Sequence, residues 1–265
     1  KEGDIVMLEN LRIDKGEEKN NETFAKKLAD FGDIYVNEAF SVSHRNHASI
    51  TGIPKYLPSY AGLLFESEVE NLSRAFYPKH PFLLILGGVK FGSKLGVLKR
   101  FIKIADKIFI GGALANIFFK LKGIDIGESL FDKKVSVKKY FGNRKIVLPV
   151  DFKKNDGAIL DIGPKTIKEL INLIRRAKFI LWNGPLGNFE IRDFAKGTEA
   201  AAKAIASSNV VSVIGGGDTA AAVIKMRLTF IQKSFISTGG GAMLEFLAKG
   251  TLPGIEALLK SKKPK

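Results

Sequence analysis

The stretch VVSVIGGGDTAAAVIKM, residues 210–226, decides how this chain is read. Val210–Ile214 is a short apolar, β-branched run of the kind that forms a buried strand. Gly215, Gly216 and Gly217 let the backbone turn sharply and approach a ligand closely. Asp218 and Thr219 are good caps for the alanine-rich helix that follows. A strand–turn–helix unit of this form aims unpaired N–H groups at whatever occupies the turn, which favours an anion such as phosphate. The design recurs at FISTGGGAMLEFLA (235–248) and at LLILGGVKFGSKLGVLKRF (83–101). Several such turns in one domain point to a polyphosphate site.

Outward from that stretch, the pattern alternates. Strands are predicted at 82–86, 107–110, 145–149, 178–182, 210–214 and 234–237. Helices are predicted at 93–104, 113–122, 164–176, 194–206, 218–226 and 241–248. Alternation of this kind gives an α/β fold, a parallel sheet with helices on both faces. Ligands in such sheets bind beyond the C-terminal strand ends, where the glycine clusters fall. The front section reads strand (Ile5–Leu8), helix (ETFAKKLADFG, with Phe24, Leu28 and Phe31 at helical spacing and Gly32 ending it), strand (DIYVNEAF) and polar loop (SVSHRNHAS). A helix from about Phe65 to Phe76, ending before Pro78 and Pro81, reads as a connector between lobes.

Bulk properties narrow the function class. The 265 residues carry 42 basic and 27 acidic side chains, a net charge of +15, so nucleic acid and small phosphorylated molecules are both conceivable partners. The lysines are dispersed, which favours a solvated surface over a nucleic-acid stripe. There is no cysteine, which excludes disulfides, thiolate catalysis and zinc–thiolate sites and suits a reducing cytoplasm. No apolar run is long enough to cross a bilayer, and no signal-peptide pattern stands at the front. The chain lacks an initiator Met and enters a strand-like run at once, so upstream residues are expected. The closing KSKKPK reads as a frayed tail.

Individual motifs sharpen the phosphate reading. GGVKFGSK (87–94) resembles a Walker A loop but ends Ser93-Lys94, the reverse of the required order, so it is not one. Lys90 and Lys94 beside Gly87 and Gly88 still suit phosphate, with Ser93 as a helix cap. GGGDTA (215–220) fits a dinucleotide fingerprint, but the ribose-binding acid expected at the end of the next strand is missing. Asp218 suits Mg²⁺ beside a nucleotide's phosphates, or serves only as a cap. In WNGPLGNFE (182–190), Glu190 could accept from ribose hydroxyls, and Trp182 reads as core. Gly111 and Gly112, without a nearby lysine, suit the flat face of a base or tight helix–strand packing. Arg12 and Arg45 lie just beyond strand ends, where two guanidinium forks would make an anion pocket. His44 beside Arg45 is a candidate base or a local hydrogen-bonding group.

Together ENLRIDKGEEKN, NEAFSVSHRNHAS, ILGGVKFGSKL, GGALANIFF, LDIGP, WNGPLGNFE, GGGDTAAA, STGGGAMLEFL and LPGIEAL resemble phosphoglycerate kinase, in the family's order and over nearly the whole chain. The resemblance implies two Rossmann-like lobes with parallel sheets flanked by helices, the first lobe incomplete. Residues 1–64 would be part of a 3-phosphoglycerate-binding domain, 65–81 an interdomain helix, 82–250 the nucleotide-binding domain and 251–265 a return towards the first domain. It implies phosphoryl transfer between 1,3-bisphosphoglycerate with ADP and 3-phosphoglycerate with MgATP, in a cytoplasmic monomer. Arg12 and Arg45 would hold the substrate's 3-phosphate. Lys90 and Lys94 would bind nucleotide phosphates, with Lys94 following the transferring group. Gly87, Gly88, Gly216 and Gly217 would line the nucleotide, and Gly111 and Gly112 would border adenine. Asn183, Pro185 and Glu190 would border the nucleotide, Asp218 would hold Mg²⁺ and Thr219 would support the phosphates. Gly240 and Gly241, at a helix start, would be catalytic by stabilising the moving phosphoryl group.

Three departures are visible. The family's D-x-N-x-P strand, catalytic arginine and H-x-x-R motif have no counterpart and would lie before Lys1, so this piece alone is expected to be nearly inactive. Only Asp151–Leu160 link LPV to DIGP, where the family has a longer segment. Ser93 stands where many members carry Asp. The competing readings are a nucleotide-binding remnant, a basic nucleic-acid binder and a nicotinamide dehydrogenase.

Overall fold

The structure is a computed structural model that describes residues 3–89, 91–228 and 233–261. The first elements in chain order are α1 (Lys15–Glu18), α2 (Glu22–Ala29), β1 (Tyr35–Asn37), β2 (Ser59–Ala61) and α3 (Leu63–Ser73). Then come β3 (Phe82–Leu86), α4 (Phe91–Phe101), β4 (Lys107–Ile110), α5 (Gly112–Leu121), β5 (Ile146–Val147), β6 (Phe152–Asn155) and β7 (Ala158–Ile162). The series ends α6 (Pro164–Arg176), β8 (Phe179–Asn183), α7 (Lys196–Ala206), β9 (Val211–Gly215), α8 (Gly217–Lys225), β10 (Ser234–Ser237), α9 (Gly240–Lys249) and α10 (Pro253–Leu259). The chain forms two compact units. One runs to Ser67 and resumes at Thr251; the other is Glu68–Gly250.

The larger unit is built on a parallel six-stranded sheet in the order β10-β9-β8-β3-β4-β5. Central strands β3 and β8 are buried at every residue, which explains why FLLIL and FILW are continuously apolar rather than alternating. Alternate residues feed opposite faces. Leu83, Ile85, Ile180 and Trp182 join Leu170 and Ile174 of α6 and Ala201, Ala202 and Ile205 of α7 in one core. Phe82, of opposite parity, meets Phe101 of α4 edge-on at 5.8 Å. On that side α4 packs on α9 so tightly that a Cβ at Gly96 would lie 2.9 Å from the Ala248 methyl. The chain steps outward from β3 through β4 to β5, then returns to β8 on the other side of β3. The order in which the chain adds strands therefore reverses between β3 and β8, a switch point of the kind that leaves a crevice beyond the strand ends.

The smaller unit has a two-stranded parallel sheet, Tyr35–Asn37 beside Ser59–Ala61. Asn21 caps α2 by accepting the Phe24 N–H at 3.0 Å. Its buried residues are Ala25 and Ala29, while Phe31, predicted to face inward, is 75% exposed. α10 returns to this unit, where the Gly254 N–H donates to the Ser43 carbonyl at 2.9 Å.

Several expectations are corrected. Ile5–Leu8 is not a strand: Ile5 and Met7 are 97% and 94% exposed, and without a neighbouring strand an apolar run has no ladder to satisfy its backbone. The loop 41–49 leads into a π-helical turn at Ala48–Gly52. Ser93 lies inside the first turn of α4 and not at its cap. The short link at residues 151–160, for which no secondary structure was predicted, includes β6 and the start of β7, an antiparallel hairpin turned on Asp156 (φ 46°) and Gly157 (φ 78°). The last four residues of KSKKPK lie outside the described residues.

Asp151 shows how local chemistry fixes an element. Its carboxylate accepts the Thr166 and Lys165 N–H groups at 2.8 and 2.9 Å, capping α6. Desolvation pushes its pKa up, but these bonds, the Thr166 hydroxyl and Lys165 hold it below the ordinary value. A depressed folded pKa contributes stability above the unfolded value, lost as pH falls through the folded one. Asp151→Ala is expected to cost about 1 kcal/mol of stability at neutral pH. Thermal melts should show that deficit shrinking below about pH 4.

Candidate functional site

Three loops meet at the C-terminal edge of the large sheet. The turn after β8, Gly184-Pro185-Leu186, lies directly on the turns after β3 and β4. The Gly88 N–H donates to the Pro185 carbonyl at 2.7 Å, and the Gly112 N–H to the Leu186 carbonyl at 3.2 Å. A side chain on Gly87 or Gly184 would strike the other's loop backbone. Gly112 combines φ +56° with a Cβ position 2.9 Å from the Pro185 carbonyl, so only glycine fits without strain. The β8 turn is also pinned from its far side. The Gly184 N–H donates to Thr219 Oγ1 at 2.7 Å, the Leu186 N–H to Thr198 Oγ1 at 3.0 Å and the Trp182 indole N–H to the Gly184 carbonyl at 2.9 Å.

These turns frame a cavity of about 310 Å³. Gly88, Gly112, Pro185, Glu190 and Asp218 from the predicted site all line it. Its apolar walls include Ala113, Phe119, Leu130, Ile159 and Leu186, a surface suited to a flat heterocycle. Asp218, exposed in the first turn of α8, and Glu190, exposed after the β8 turn, put carboxylates at the rim.

The other predicted residues are not among those lining the cavity. Asn183 is 2% exposed, and its amide donates to the Gly215 carbonyl at 3.0 Å, tying β8 to β9. Thr219 is buried and spends an acceptor position on Gly184. Gly111 packs against Leu186, and Gly87 is enclosed by the β8 turn. Gly216 has φ +95° and opens α8, whose residues Gly217 and Asp218 carry N–H groups with no backbone acceptor among the described residues. Lys94 is 5% exposed, and a Cβ at Gly88 would lie 3.6 Å from its Nζ. Lys90 lies outside the described residues. Gly240 (φ +53°) and Gly241 start α9, with first-turn N–H groups that an α-helix cannot satisfy internally. In the smaller unit Arg12 and Arg45 are exposed, and neither guanidinium has a partner among the described residues.

Sequence reasoning missed three participants. Glu68 of α3 is 1% exposed. It accepts the Thr238 N–H at 2.7 Å, the Thr238 hydroxyl at 3.0 Å and the Ser237 hydroxyl at 2.6 Å, so it holds the turn that starts α9. Asn116, buried in α5, donates to the Leu130 carbonyl at 2.9 Å and hangs the 126–130 segment over the cavity. Asp161 at the end of β7 accepts the Gly197 and Ile162 N–H groups at 2.9 and 2.8 Å. The hairpin carrying it was signalled by Asn155-Asp156-Gly157 between apolar runs.

Burial raises Asp161 to about 6, although the Gly197 and Ile162 N–H groups and nearby Lys153 pull the other way. A raised folded pKa makes the acid's contribution to stability fully present below the unfolded value and lost as pH rises towards the folded one. Stability should therefore decline between 3.8 and about 6 on account of this residue. Asp161→Asn should flatten that part of the pH–stability curve in thermal melts, and an unchanged slope would assign it elsewhere.

Comparisons with known proteins agree with this geometry. The sequence profile of the family described as phosphoglycerate kinase matches residues 1–250. A phosphoglycerate kinase of Pseudothermotoga lettingae is 45% identical over 291 aligned positions, covering 99% of this chain and 73% of the relative. One of Thermosipho africanus is 45% identical over 294 positions with the same shares. The solved structure of the Coxiella burnetii phosphoglycerate kinase superposes with a TM-score of 0.84 at 39% identity, covering 96% of this chain and 72% of that one. With the profile spanning nearly the whole sequence and relatives this similar in sequence and in fold, the chain belongs to the phosphoglycerate kinase family.

Proposed function

We propose that this chain serves its family's reaction, reversible phosphoryl transfer between 1,3-bisphosphoglycerate with ADP and 3-phosphoglycerate with ATP, with this piece alone nearly inactive because none of its residues matches the family's catalytic arginine, and that the 310 Å³ cavity holds the nucleotide's base and ribose. The observation that carries the reading is the convergence of Gly88, Gly112, Pro185, Glu190 and Asp218 on one apolar cavity at the point where the strand order reverses.

In this reading the base lies between Ala113, Leu186 and Phe119, and Glu190 accepts from the ribose hydroxyls. The diphosphate then runs along the strand ends towards the starts of α8 and α9, whose N–H groups favour anions. Lys94 lies beside Gly88 in a buried position, where its charge acts with little screening. Phosphoryl transfer asks a protein mainly for positioning and for positive potential at the equatorial oxygens. Lys94 and the N–H groups of Gly240 and Gly241 supply both, and Glu68 positions the Gly240 turn. Arg12 and Arg45 hold the 3-phosphate of the glycerate substrate through bidentate contacts.

The residues present fit a magnesium ion that arrives with the nucleotide. Among the described residues there is no cluster of three or more His, Cys, Asp or Glu that could hold a metal alone. Asp218 offers one exposed carboxylate at the cavity rim, leaving the other ligand positions to phosphates and water. When bound, Mg²⁺ neutralises phosphate charge. Among the described residues no helix is long and apolar enough to cross a membrane. A monomer in the cytoplasm fits the family and the absence of cysteine.

Calorimetry should find MgADP binding at micromolar to millimolar concentration. Asp218→Asn should weaken MgADP about tenfold, equivalent to ~1.4 kcal/mol, while affecting magnesium-free ADP much less. Absence of binding at several millimolar would overturn the proposal.

A further inference from the structure

Strand β7 braces the cavity on two sides. The Ile159 N–H donates to Ser129 Oγ at 2.7 Å, tying the strand to the 126–130 segment. The Asn188 N–H donates to the Leu160 carbonyl at 2.8 Å, tying the same strand to the loop that carries Glu190. Lys153 of β6 reaches the far end of that loop, donating to the Asp193 carbonyl at 3.0 Å.

Asp161 sits where these ties meet. It belongs to the cavity lining and is 2% exposed. One carboxylate oxygen accepts the Ile162 N–H of its own strand, the other the Gly197 N–H, and the Lys196 N–H also bonds to the group. The residue before α7, Ala195, has no side chain that can cap it, so this carboxylate from a distant strand does so. Gly187 and Gly197 are pressed against it, for a Cβ at either would collide with Asp161 Oδ1. From α7 the hold passes through Thr198 to the Leu186 N–H of the β8 turn.

On the reading that this cavity takes a nucleotide, we propose that Asp161 is a positioning residue for it: the ionised carboxylate clamps the start of α7 and the turn at Gly187 onto β7, which places Glu190 for the ribose, and protonation releases the clamp. The donor set explains the release. Gly197, Lys196 and Ile162 all present N–H groups, so a carboxyl O–H finds no acceptor among them and blocks one of their bonds. Burial brings the transition to about 6, close to neutrality. Of the charges on the elements packed around it, Lys153 favours the ionised form. Glu199 of α7 is engaged by Lys203 at 3.7 Å, while Glu190, Arg192 and Asp193 lie on the exposed loop.

Amide NMR of the ligand-free chain between about pH 5 and 8 reads the loop directly. Asn188–Ile191 should shift together with a midpoint of about 6, and Asp161→Asn should abolish that titration. Lys153→Met, which removes the favouring cation, should move the midpoint upward. Calorimetry with adenosine, which has no phosphate to titrate, should find wild-type affinity about tenfold weaker a full pH unit below the midpoint than well above it. Asp161→Asn should bind weakly and equally across the range. Loop amides that do not titrate, or that titrate unchanged in Asp161→Asn, would overturn the proposal. So would the same pH dependence of adenosine affinity in both proteins. Absence of adenosine and MgADP binding would instead sink the nucleotide reading, and the loop titration would still confirm or refute the clamp.

Discussion

The large unit depends on a backbone-to-backbone contact, the β8 turn lying on the turns that follow β3 and β4. Two hydrogen bonds close it, from the Gly88 and Gly112 N–H groups to the Pro185 and Leu186 carbonyls. The approach leaves no room for a side chain at Gly87, Gly112 or Gly184. Because β3 and β8 are neighbours in the centre of the sheet, this contact sits where the strand order reverses. The cavity is a consequence: its floor is the locked turns, and its walls are hung from them by α5, the 126–130 segment and the β6–β7 hairpin.

Around the lock, buried hydroxyl and amide groups do the bracing. Thr219, Thr198 and Asn183 each connect a different helix or strand to the β8 region. Each is fully or almost fully buried, so each would leave an unpaired donor or acceptor if truncated. This gives the site a rigid frame on regular elements, which a reaction dominated by positioning requires. Glu68 extends the principle to the start of α9 by satisfying three donors with one carboxylate.

The sheet was legible because its strands announce themselves. Phe82–Leu86 and Lys107–Ile110 appear at the predicted residues, since buried parallel strands need continuous apolar runs and glycine turns mark their ends. What was not legible falls into two kinds. Some required a partner: Ile5–Leu8 has a strand's composition, but pairing decides strands, and no strand pairs with it among the described residues. Others required long range: Glu68 meets Ser237 across 169 residues of sequence, and nothing near either position hints at the other. The β6–β7 hairpin was different, for Asp156-Gly157 carried the turn signal in plain view. Of the candidate site, Gly88, Gly112, Pro185, Glu190 and Asp218 converge on the cavity, while Asn183 and Thr219 turn out to be braces with buried side chains.

The glycine turns that looked alike in sequence divide into two chemical types once the lock is in place. At Gly88 and Gly112 the N–H groups are consumed by carbonyls of the β8 turn, so these turns cannot present those amides to an anion. They are left lining an apolar cavity, which suits an uncharged ring. At Gly217, Gly240 and Gly241 nothing in the described backbone takes the N–H groups, and each helix begins with open donors at the positive end of its dipole. A ligand that is flat and apolar at one end and polyanionic at the other matches that division, because the sheet places both kinds of turn along a single edge. Strands β10 and β3 are three places apart in the sheet, or about 14 Å at ordinary strand spacing, a span on the scale of a nucleoside with its phosphate tail. The one lock between loops thus fixes the cavity and also decides which amides remain open.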